Sequence, residues 1–266
     1  MRTQKTTGPA PWLCLFGIIL WTWFFWGIVI VTGNNLFAFP TAILAILGFL
    51  GPLVIPAILI SAGNWDPKLD TSAKDFLIRS FHFRTLSVKW YLIVVGLILL
   101  LTIVPLLFEP AVVQNGLIQA GPAFFLLIGA VAGFVEEPGW RGYAQEGLQR
   151  QMSVITASVV IGLFWALWHL PLFFISGTYQ AELGFGTRGF LFFTIAILVG
   201  SPIYAWLYNA TDRVIFAPVL FHGLGNVMSE LVPDASAVTE LGLAAVLTLA
   251  ITLISWRWMF QRRPGG

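Results

Sequence analysis

KWYLIVVGLILLLTIVPLL, residues 89–107, carries one charge, at its first position, and then eighteen residues without another. As an α-helix it would be about 28 Å long, the thickness of a bilayer's hydrocarbon core. Working outward, apolar runs bounded by charge, Gly, Asn or Pro recur at about 11–32, 37–62, 121–146, 153–175, 189–209, 213–231 and 237–260. The composition agrees: of 266 residues, 58% are hydrophobic and 10% charged. A water-soluble surface needs roughly a quarter of its residues charged, and a disordered chain needs low hydrophobicity with high net charge. Both are excluded. The sequence therefore predicts an all-α polytopic membrane bundle of eight transmembrane helices, forming one integral membrane domain over 1–266.

The distribution of charge sets the orientation. Of the fourteen Lys and Arg residues, twelve fall before span 1, in alternate loops or at the end of the chain. These are Arg2 and Lys5; Lys68, Lys74, Arg79, Arg84 and Lys89; Arg150; Arg213; and Arg257, Arg262 and Arg263. Arg188 alone falls in an opposite loop and Arg141 lies within a span. Basic residues stay on the cytoplasmic side, so both termini are expected there. Trp12, Trp90, Tyr91, Trp256 and Trp258 stand near span ends as interfacial anchors. The stretch TSAKDFLIRSFHFRTLSVKW (71–90), which includes His82, shows no clean 3.6-residue apolar face; it is placed on the inner leaflet and no helix is assigned to it. The first run keeps bulky Trp and Phe and offers no small-residue cleavage site, so it reads as an uncleaved span. Cys14 is the sole cysteine, which leaves no intrachain disulfide or thiol cluster. Nothing in the basic residues suggests a nucleic-acid surface.

Ionisable groups deep in a bilayer cost about 2.5–3.5 kcal/mol each on insertion scales, so each needs a partner, a wet cavity or a task. They concentrate in GFVEEPGWRGY (133–143), GLFWALWHLPLFF (162–174) and LFHGLGNVM (220–228). Helical rise places Glu136 about 15 Å, His169 about 24 Å, His222 about 14 Å and Asn226 about 20 Å from the cytoplasmic edge. Glu137 and Arg141 share a helix face, as do His222 and Asn226, while Glu136 points about 100° from Glu137. Pro138, with Gly139 and Gly142 beside it, predicts a kink or a close neighbour, and Pro171 does the same after His169. A polar cavity holding two carboxylates, two imidazoles and an amide is expected. Glu137 with Arg141 also reads as a structural ion pair, and Glu230 and Glu240 lie at outer span edges with no role.

Through E-E-x-x-x-R (Glu136, Glu137, Arg141), F-x-x-x-H (here Trp165 to His169) and H-x-x-x-N (His222, Asn226), the chain resembles the CPBP family of intramembrane proteases. That family includes type II CAAX prenyl endopeptidases and bacteriocin-processing or self-immunity (Abi-like) proteins. HFRTLSVKWY (82–91) is similar too, and the likeness covers about 75–230. It implies hydrolysis of a peptide bond within the membrane. Glu136 would be the general base, His169 would hold the water, and His222 and Asn226 would donate to the oxyanion. Glu137 and Arg141 would support them. The implied partners are the lipid bilayer and a peptide or lipidated protein substrate, at the cell membrane if the source is prokaryotic. Metal-free catalysis is preferred. The alternatives are a zinc site of Glu136, His169 and His222, a proton-coupled transporter, and a non-catalytic immunity protein.

Overall fold

The computed structural model describes residues 8–108, 122–231 and 237–263. Arg2, Lys5 and the first residue of the expected fourth span lie outside them. Every regular element among the described residues is helical. The long ones are α1 (Pro11–Thr32), the short pair α2 (Thr41–Phe49) and α3 (Gly51–Ser61), α5 (Val88–Phe108), α6 (Pro122–Glu137), α8 (Val154–His169), α10 (Arg188–Ala210), α11 (Phe216–Leu231) and α12 (Ala237–Ile254). Between them lie α4 (Ala73–Phe81), α7 (Glu146–Leu148), α9 (Tyr179–Leu183) and, last in the chain, α13 (Trp256–Met259). Val31, Leu107, Leu249 and Ile254 are exposed, as side chains facing lipid would be. This is a multi-pass integral membrane protein.

Five helices are long and apolar enough to cross a bilayer, and α2 with α3, bent by 54°, makes a sixth. The remaining two expected spans fall on α6 and α11, each 16 residues long; α8 has the same length but continues through a 3-10 segment, Leu170–Phe174, to reach 21 residues. The sequences of α6 and α11 spend positions on glycine and polar groups, which shortens the regular apolar stretch.

The bend between α2 and α3 has a specific cause. Pro52 offers no N–H to the Gly48 carbonyl, which instead accepts the Thr22 hydroxyl of α1 at 2.8 Å. Trp21 and Trp26 of α1 donate to the carbonyls of Leu47 and Ala45 at 2.7 and 2.9 Å. Trp168 of α8 donates to Thr22 at 2.8 Å, so α1 ties α2 to α8 by side-chain hydrogen bonds. Broken backbone at this depth persists because neighbouring side chains satisfy it.

Pro138 brings the expected irregularity, but as a widened helix rather than a simple kink: Pro138–Gln145 is a π-helix. Gly139 is needed inside it. A Cβ there would stand 2.3 Å from the Pro52 carbonyl oxygen, which Pro56 has left without a helical donor. Gly139→Ala is therefore expected to cost about 1–3 kcal/mol, seen as a lower thermal midpoint in detergent. A midpoint equal to wild type would show that α3 gives way freely.

At one end of the bundle, loops far apart in sequence meet in a polar layer. Glu146, fully buried, lies 3.2 Å from both Arg150 and Arg213 and accepts the Tyr208 hydroxyl at 3.1 Å. Asp66 pairs with Arg150 at 3.0 Å and Asp70 with Arg79 at 2.8 Å. The start of α1 is at the same end, where the Ala10 N–H donates to Tyr143. Arg79, Arg150 and Arg213, three of the basic residues assigned to one side by sequence, thus meet at this end. Within the 71–90 segment, to which the sequence assigns no helix, Ala73–Phe81 is helical, capped by Ser72 accepting from the Asp75 N–H at 3.2 Å, and it inserts Phe76.

Candidate active site

Small residues bring the three polar segments together. On α6, Gly129 and Gly133 face α11: a Cβ on Gly133 would lie 2.5 Å from the Val219 carbonyl oxygen, and one on Gly129 3.0 Å from Asn226 Cβ. Gly223 reciprocates against the Ala130 carbonyl at 3.2 Å. Such close backbone approach is how membrane helices associate without a hydrophobic drive. It sets His222 against the C-terminal end of α6, where the two glutamates stand.

His222 Nδ1 lies 2.8 Å from Glu137 Oε1, and Arg141 reaches the other Glu137 oxygen at 3.3 Å. Glu137 and Arg141 are both fully buried. The guanidinium sits 4.8 Å from the Trp165 ring and 4.4 Å from the Tyr204 ring, and donates to the Ser201 hydroxyl at 3.2 Å. Glu136, as expected one residue earlier, faces elsewhere: its Oε2 accepts the Trp165 indole N–H at 2.7 Å. His169 follows one turn after Trp165 and its Nδ1 is 2.8 Å from the Trp165 carbonyl oxygen. A carbonyl can only accept, so Nδ1 carries the hydrogen and a neutral His169 presents Nε2 as a lone pair.

Both histidines pack on the same indole, with ring centroids 5.3 Å (His222) and 6.0 Å (His169) from Trp165. Glu136, Glu137, Arg141, His169 and His222 therefore form one cluster around Trp165. Asn226 stands one turn beyond His222, with its amide nitrogen 3.4 Å from the Gly129 carbonyl. Its second N–H has no hydrogen-bond partner among the described residues. The setting is tighter than an open polar cavity: Glu136 is 3% exposed and His222 5%. His169, Tyr204 and Asn226 are half-buried and form its accessible side.

Sequence reading passed over Tyr204 and Ser201. Both are on α10, which carries no ionisable group of ordinary range at this depth, and their only signal was the interruption Ser201-Pro202 in an apolar run. The F-x-x-x-H spacing gives the Trp165 N–H no role. Among the described residues, no three His, Cys, Asp or Glu side chains are grouped so as to hold a metal ion.

Fold and site together define a class: a polytopic helical membrane protein that buries an acid–base cluster between helices. The type II CAAX prenyl endopeptidase Rce1-like family matches residues 118–228, a stretch that contains Glu136 through Asn226. A relative from Methanococcus maripaludis named CAAX prenyl protease 2 is 30% identical over 229 residues, covering 81% of this chain and 82% of the relative. The chain belongs to the CAAX prenyl protease family. It is an integral membrane protease.

Proposed function

We propose that the chain is a glutamate-dependent endopeptidase that hydrolyses a peptide bond near the lipidated end of a membrane-held substrate. The observation that carries this reading is the division of labour around Trp165. One oxygen of Glu136 is held, and both imidazoles are fixed through Nδ1, which leaves Nε2 of each for a reacting group.

Glu136 Oε1 takes a proton from water as the water oxygen attacks the scissile carbonyl carbon, and His169 Nε2 accepts the water's other hydrogen as a hydrogen bond. The carbonyl oxygen becomes an oxyanion that accepts from His222 and the second Asn226 N–H. Glu136 then returns its proton to the amide nitrogen as the C–N bond breaks. For His222 to donate through Nε2 while Nδ1 donates to Glu137, it acts as an imidazolium. Four charges then balance in the buried cluster: Glu136 and Glu137 against Arg141 and His222. Glu137 and Arg141 work through the others by holding the end of α6 and orienting His222.

Zinc would need Glu136, His169 and His222 to converge as ligands. The hydrogen bonds that hold them, with no three-donor group among the described residues, support metal-free catalysis instead. Activity is expected to survive extraction with a strong chelator to within about twofold. A loss that added Zn²⁺ restores would reverse the assignment.

The prenyl endopeptidase family and the CAAX prenyl protease relative, together with a site inside the membrane, favour a prenylated CAAX-type peptide as substrate. Reconstituted in liposomes, the protein is expected to shorten a farnesylated CAAX peptide, read by mass spectrometry, and to leave its unprenylated counterpart whole. Equal cleavage of both would remove the lipid from the specificity, and cutting of an unlipidated bacteriocin-like precursor alone would replace the substrate class.

A further inference from the structure

At position 165 this chain has an indole whose N–H lies 2.7 Å from Glu136 Oε2. Among the described residues this is the well-formed hydrogen bond to Glu136, with the Trp140 indole also close to the carboxylate. The bond leaves the other oxygen, Oε1, for a reacting group. The Trp165 indole is itself immobilised: 5% exposed, faced by the Arg141 guanidinium at 4.8 Å and edged by Tyr204 at 5.3 Å and His222 at 5.3 Å. The main-chain carbonyl of the same residue holds His169 Nδ1 at 2.8 Å.

We propose that Trp165 is a positioning residue of this protease: its indole N–H holds Oε2 of Glu136 and thereby turns Oε1 toward the attacking water. A carboxylate otherwise has two equivalent oxygens and a soft terminal torsion, so an undirected Glu136 would spend its time in orientations that miss the water. With Oε2 tied to a rigid ring and His169 tied to the same residue's backbone, base and water holder share one frame. The inference rests on the reading of Glu136 as the base.

The test removes the N–H and little else. Two proteins are compared with wild type on a farnesylated CAAX peptide: Trp165→Phe, and Trp165 replaced by benzothienylalanine, which keeps the bicyclic shape with sulfur in place of N–H. Both are expected to lose about 10- to 100-fold in kcat while KM stays within about twofold. The benzothienyl protein keeps the test open if the smaller phenyl ring loosens the packing. Wild-type kcat in the benzothienyl protein would overturn the proposal, as would kcat and KM changing in proportion to a lowered thermal midpoint. Glu136→Gln is measured beside them. If it cleaves normally, the reading of the base is wrong. If it is inactive while the benzothienyl protein is unimpaired, the base reading survives and only the role of Trp165 falls.

Discussion

Glu136→Gln is expected to lower kcat by about 10²- to 10⁴-fold and to leave the fold intact. Gln has the same shape, and its amide oxygen still accepts the Trp165 indole N–H that now reaches Oε2 at 2.7 Å. It cannot take a proton from water at any pH the protein survives, so the general-base contribution, worth about 10² to 10⁴, is lost outright. The substitution also removes one negative charge from the cluster, which His222 relieves by shedding its extra proton while Glu137 and Arg141 stay paired at 3.3 Å. Substrate should therefore still bind. Steady-state cleavage of a lipidated peptide, with binding measured separately, decides the matter. Retention of more than about a tenth of the wild-type kcat would show that some other group serves as base. The same variant distinguishes the other classes: an immunity protein would keep its phenotype, and a proton-coupled transporter would show altered transport rather than lost proteolysis.

What the sequence conveyed depended on whether the signal was local. Long apolar runs are self-reporting, because a backbone in lipid must satisfy its own hydrogen bonds whatever its neighbours do. Hence α1, α5, α10 and α12 lie where the runs of hydrophobic residues put them. The pairing of Glu137 with Arg141 was legible from their four-residue spacing alone. Convergence of three segments was legible from the cost of isolated intramembrane charges. The lost information is tertiary. That Gly48 takes a hydroxyl from Thr22, or that Pro138 opens a π-helix, depends on which neighbour supplies a donor or a gap. The Trp165 indole reads as packing until Glu136 is found at its N–H. Tyr204 and Ser201 belong to the cluster through Arg141, whose partners beyond its own helix no spacing rule reveals.

Arg141→Met should produce the largest loss of stability of any single change at this site, about 3–5 kcal/mol. Arg141 and Glu137 have no exposed surface, so a lone carboxylate left at position 137 has no water to fall back on. His222 remains its partner at 2.8 Å and softens the loss without cancelling it, because the guanidinium also fills the space between the Trp165 and Tyr204 rings and bonds Ser201. A thermal midpoint roughly 10 °C below wild type in detergent is the expected reading. The charge argument is separated from the packing argument by the double variant Glu137→Gln with Arg141→Met, which removes both charges and keeps similar volume. If the unpaired carboxylate is the cause, the double variant regains a good part of the lost midpoint, as replacement of whole buried ion pairs commonly does. If it melts as low as Arg141→Met alone, the guanidinium's contacts with the two rings and Ser201 carry the stability. Activity need not return with stability, since His222 would then face an amide at position 137 and lose the carboxylate that holds its imidazolium toward the oxyanion. A stable, inactive double variant would thus assign Glu137 to catalysis through His222 and Arg141 to the integrity of the helix end.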